Sequence, residues 1–135
     1  EINNVKPDSD RANILTRAWN VDDPIGTVSL TVSTFFDVSD EVAMKKSSYN
    51  KLPDHKQYAY EKKHKFIFDN ADIMTDTRKE VSVLLGEVYE LREDYRLDGA
   101  RKKKRISILE KEIYLLARDA NRIWFKQLKK ATSAL

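Results

Sequence analysis

The chemistry available to this chain is set by a few side chains, and the histidines come first because they are the commonest metal ligands and general bases. His55 and His64 sit in a lysine-rich stretch, and neither has a second ligand at metal-binding spacing, so both are expected to be solvated surface residues. Serines are numerous, but none occupies a G-x-S-x-G turn or neighbours a histidine, which leaves no nucleophilic triad to assemble. The glycines are Gly26, Gly86 and Gly99, too few and too scattered for a P-loop or a G-x-G-x-x-G turn. Asp69, Asp72 and Asp76 could gather a hard cation, yet they lack the EF-hand pattern and read as turn and helix-start acids.

One carboxylate set has helical spacing. Glu87, Glu90 and Asp94 fall at i, i+3 and i+7, which puts all three on one face of a helix, where such groups can hold Mg²⁺. The set resembles half of the E-x-x-E and E-x-x-D signature of the all-α nucleoside triphosphate pyrophosphatases, a resemblance that would imply metal and triphosphate bound between two helices. The second half is missing, because Leu115 stands where an acid is needed after Glu112. The simpler reading makes these acids a solvated face paired locally with Arg92 and Arg96. The expectation is therefore a non-enzymatic protein with no catalytic residue, no cofactor and no metal.

The densest functional feature is basic. Arg101, Lys102, Lys103, Lys104 and Arg105 form an unbroken run, and Lys111, Arg118, Arg122, Lys126, Lys129 and Lys130 continue it. Residues 101–135 hold 11 bases against 3 acids, whereas residues 76–100 hold 4 against 7. A cluster of that density can neutralise several phosphates and release their counterions, so the leading expectation is sequence-independent contact with DNA or RNA. Tyr89, Tyr95, Tyr114 and Trp124 could stack on bases wherever they are not core. The alternative is a structural or adaptor protein that docks on a protein partner or forms a homo-oligomer through its helices and an exposed strand.

The elements that would carry these residues follow from periodicity. Thr77-Arg78-Lys79-Glu80 reads as a capping box, followed by Val81, Leu84, Val88, Leu91 and Tyr95 at spacings of three and four, so a helix is expected from Thr77 to about Leu97. Asp98-Gly99 is a turn signal, and a second stripe runs through Ile106, Leu109, Ile113, Leu116, Ala120, Ile123 and Leu128. Continuing the first phase across the junction would put Asp98, Lys102 and Arg105 in the seam, so two helices in an antiparallel, coiled-coil-like hairpin fit better than one. Opposed residues then have numbers adding to about 199, which sets Gly86 against Ile113 and Leu91 against Ile108. The second helix overhangs the first, and Ile123, Trp124, Phe125 and Leu128 on that overhang are the candidate protein interface, or else pack on Trp19 or the aromatic middle segment.

Upstream the pattern is mixed. Asp8 to Trp19 reads as a short docking helix ended by Asp22-Asp23-Pro24. Val28, Leu30, Val32 and Phe36 alternate with Thr27, Ser29, Thr31, Ser33 and Phe35, which predicts a strand over Thr27 to Phe36. Tyr58, Tyr60, Phe66 and Phe68 also alternate, but the D-x-x-Q start at Asp54 and Gln57 favours helix there. The whole reads as one domain over residues 1–135, mainly α with α+β as the variant: a hairpin over 76–135 packed on a smaller part, 1–75, with a short helix and one or two strands.

Composition agrees with that scale. A chain of 135 residues that is 41% hydrophobic and 35% charged can bury one core while coating long helices with charge. No apolar run approaches the roughly 18 residues that span a bilayer. The absence of cysteine suits a reducing, intracellular setting without indicating a compartment.

Overall fold

The computed structural model describes residues 25–133, which apart from short connections form four helices: α1 (Ile25–Lys51), α2 (Asp54–Lys63), α3 (Lys65–Glu93) and α4 (Gly99–Ser133). The docking helix expected over Asp8 to Trp19 lies outside the described residues. α3 and α4 form the antiparallel hairpin, and α1 packs against both.

The strand expected over Thr27 to Phe36 is instead the start of α1, and no strand occurs among the described residues. Burial gives the reason. A strand would place Leu30 beside Val28 and Val32 and turn Phe35 away, whereas Leu30 is 68% exposed and Phe35 is fully buried. Val28, Val32, Phe35, Ser39 and Val42 recur at spacings of four, three, four and three, and every one is buried. Helix formation by β-branched residues is disfavoured by only about 0.7 kcal/mol per residue at most, less than burial of a valine or phenylalanine contributes. The docking role given to an exposed strand therefore falls away. The N-terminal part of α1 meets α4, where the Asn121 side chain donates to the Thr31 carbonyl at 2.9 Å. Its C-terminal part meets α3, where the Tyr49 and Phe68 rings lie 5.3 Å apart.

The middle segment is helical, split between α2 and the start of α3. Pro53 rather than Asp54 is the N-cap of α2. The Gln57 amide does not close a capping box but reaches back to the α1 terminus, donating to the carbonyls of Tyr49 and Leu52 at 3.1 and 3.3 Å. It satisfies acceptors that a helix end leaves open. The Tyr60 and His64 rings meet at the α2–α3 junction, tilted by 56° with centroids 4.6 Å apart.

α3 also starts earlier than its capping box suggests. Thr77 lies inside a helix that begins at Lys65, crossing the division expected near residue 75, because Ala71, Met74, Val81, Leu85 and Val88 form one continuous buried stripe. Arg78 occupies the position between Met74 and Val81. Its guanidinium lies 4.8 Å from the Phe36 ring centroid and donates to the Ser39 hydroxyl and to Asp40, which ties α1 to α3. α3 ends at Glu93 rather than Leu97, and the Asp98 carboxylate starts α4 by accepting the Arg101 amide at 2.9 Å.

The hairpin register is close to the one expected. Arg92 reaches Glu110, and the Lys102 ammonium reaches the Arg92 carbonyl at 3.2 Å, two contacts that bracket it. Gly86, however, is not pressed against Ile113: it is exposed, and a β-carbon added there would meet nothing within 4 Å. The buried side of α4 consists of Ile106, Glu110, Ile113, Tyr114, Ala117, Ala120 and Trp124, one position away from the expected stripe at several points. Leu109 and Leu116 are half-buried flanks and Ile123 is exposed.

Candidate nucleic-acid interface

Because α4 is a single helix over 35 residues, its geometry decides which basic residues share a surface. Successive side chains turn by about 100°, so five consecutive residues fan around more than a full turn. The run Arg101 to Arg105 is therefore dispersed. Arg101 pairs with Asp98 at 3.5 Å, and Lys102 is half-buried against the Arg92 carbonyl. Arg105 lines a groove of about 460 Å³ between α3 and α4 with Glu87, Glu90 and Asp94. Lys103 and Lys104 are exposed on different sides of the helix.

A different subset does align. Lys104, Lys111, Arg118, Arg122 and Lys129 are spaced by seven, seven, four and seven residues, which keeps them on one side of α4 for about 37 Å. Lys126 stands beside this row, whereas Lys130 faces the other flank, toward Lys65 and Asp69 of α3. Arg118 is pinned to Asp119 at 3.2 Å. Lys104, Lys111, Arg122, Lys126 and Lys129 make no ion pair with another described residue. The row lies on the side of α4 away from Ile106, Ile113, Ala120 and Trp124; Lys104, Arg122, Lys126 and Lys129 are exposed, whereas Lys111 and Arg118, which flank the buried Tyr114, are half-buried.

Of the aromatic residues considered for base stacking, Tyr114 and Trp124 belong to the core, Tyr89 is half-buried, and Tyr95 is exposed in the turn between α3 and α4. The overhang residues divide likewise. Trp124 is 5% exposed and meets Phe66 edge-on at 5.0 Å, so the aromatic middle segment covers it. Leu128 is half-buried, and Ile123 and Phe125 point to solvent on opposite flanks of α4.

The carboxylates of α3 form a second ridge. Asp69, Asp72, Asp76, Glu80, Glu87 and Glu90 lie on its outer side, all exposed, and the half-buried Asp94 follows as the C-cap of the helix. Asp94 is engaged by Arg96, whose side chain and amide both donate to it; these bonds lower its pKa below the ordinary carboxylate value and raise that of Arg96. No group of three acidic or histidine side chains among the described residues is arranged to hold a metal ion. His64 titrates below the usual imidazole value, through partial desolvation and then the nearby charges of Lys45 and Lys63.

Two charged residues matter more than the periodicity of the sequence suggested. Arg78 and Glu110 both occupy stripe positions otherwise held by apolar side chains. Glu110 is fully buried, with Arg92 3.5 Å away. Following the four-and-three spacing from Ile106 to Ile113 through Glu110 would have found it.

Comparison with protein-family models, with characterised proteins and with solved structures finds no match for the chain. Among the described residues no helix is long and apolar enough to cross a membrane.

Proposed function

We propose that this protein binds nucleic acid without sequence preference, through phosphate contacts made by the row Lys104, Lys111, Arg118, Arg122, Lys126 and Lys129 on α4. The observation that carries this reading is the alignment of those bases along one side of a single helix, with Lys104, Arg122, Lys126 and Lys129 exposed and Lys111 and Arg118 half-buried. A straight row of about 37 Å spans about one turn of a duplex, so it can meet the phosphates that face it on either side of a groove. The row carries no constellation for reading base edges, and its aromatic neighbours are largely core, which favours backbone contact over sequence recognition.

The test is a fluorescence-anisotropy titration of single-stranded DNA, duplex DNA and RNA at several salt concentrations. Wild type is compared with Lys104, Lys111, Arg122 and Lys129 all changed to alanine, and with Arg101, Lys102 and Arg105 changed to alanine. Salt-sensitive binding that is strongly weakened in the first variant is expected, with the dependence on log salt shallower by about 3 to 4. No binding at low salt, or loss confined to the second variant, would overturn the reading.

A further inference from the structure

The outer ridges of α3 and α4 carry opposite charge, and their positions correspond residue by residue. Antiparallel pairing in which residue numbers add to 198 sets Asp69 against Lys129, Asp72 against Lys126, Asp76 against Arg122, Glu80 against Arg118, Glu87 against Lys111 and Asp94 against Lys104. The one interior break in both charge rows falls at the same level, where Val83 meets Leu115; Val83 is 63% exposed. Glu90 opposite Ile108 is the pairing without complementarity.

These partners do not meet within one molecule. Glu87, Glu90 and Asp94 border the groove between α3 and α4 together with Arg105 and Ile108, yet Asp72, Asp76, Glu80, Glu87 and Glu90 make no ion pair with another described residue. We infer that the acidic face of α3 is a docking surface for the basic face of α4 from a second copy of this chain. The contact is antiparallel and in the register above. That register is nearly the one used inside the hairpin, so each added copy continues the alternation of helix directions with almost no axial offset. The contact is heterologous: every copy keeps one acidic and one basic face open, so assembly proceeds to a closed ring or an open stack.

The test is sedimentation velocity of the full chain without nucleic acid. It is run at salt on the order of 0.01 M, where charges interact over roughly 30 Å, and at about 1 M, where they interact over roughly 3 Å. Multimers at low salt that dissociate at high salt are expected. Asp76→Lys and Arg122→Glu should each weaken assembly, and the two together should restore it, because they exchange charge within one register pair. Asp76→Lys with Lys111→Glu has the same net charge but mismatched positions, and should not be restored. Circular dichroism verifies that each variant keeps its helices. A wild type that is monomeric at low salt and high concentration overturns the inference, as does equal recovery by the matched and mismatched pairs. Asp76→Lys leaves the basic row intact, so its nucleic-acid titration reads the proposed function separately from self-association.

Discussion

Arg92 and Glu110 offer the sharpest test of the hairpin, because one partner is wholly buried and the other is not. Glu110 sits in the stripe between Ile106 and Ile113 with no exposed surface, and the Arg92 side chain, 28% exposed, approaches it to 3.5 Å. Changing Arg92 to alanine leaves a buried carboxylate without the guanidinium that offsets its desolvation, a loss of about 3 to 5 kcal/mol in comparable buried pairs. Partial exposure of Arg92 puts the expectation at the lower end, about 3 kcal/mol, which for a chain of this size lowers the melting temperature by about 10 °C. Glu110→Leu removes charge and polar atoms together, so it should be neutral or stabilising, and Arg92→Ala added to Glu110→Leu should cost less than about 1 kcal/mol. Urea denaturation monitored by circular dichroism, with the combined fluorescence of Trp19 and Trp124 as a second probe, measures all four proteins. An Arg92→Ala protein within about 1 kcal/mol of wild type, or a Glu110→Leu protein as destabilised as Arg92→Ala, would refute the reasoning.

Three further outcomes follow from individual residues. Gly86→Ala should raise stability by about 1 kcal/mol in a thermal melt, since the added methyl meets open space within helix α3. Trp124→Ala should cost about 3 to 5 kcal/mol and abolish the edge contact with Phe66, to be read by urea denaturation. His64 has a lowered folded-state pKa, so the unfolded chain binds its proton first. Stability is then fullest above the ordinary imidazole value of 6.5 and falls as pH drops below it, and His64→Gln should flatten the dependence between pH 5 and 7 in buffered melts.

What the sequence determined by itself was local and periodic. The turn after α3, the near-199 register and the polarity of the two charge blocks all follow from spacing and turn chemistry between residues near one another in the chain. For residues 55–68 the sequence leaned to helix without deciding between helix and strand, and the role of Gln57 was not legible, because the carbonyls it caps belong to the preceding helix. Tertiary packing decided the rest. Thr27 to Phe36 satisfies both a two-residue and a four-and-three pattern, and only the presence of α3 and α4 on one side selects burial of Phe35 over Leu30. The capping box at Thr77 was overruled by an apolar stripe extending back to Ala71, since continuous burial outweighs a local end signal. A charge run is visible in sequence, but its surface is not: helical rotation scatters Arg101 to Arg105 and aligns Lys104 with Lys129, and the buried side of α4 determines which of those directions faces solvent.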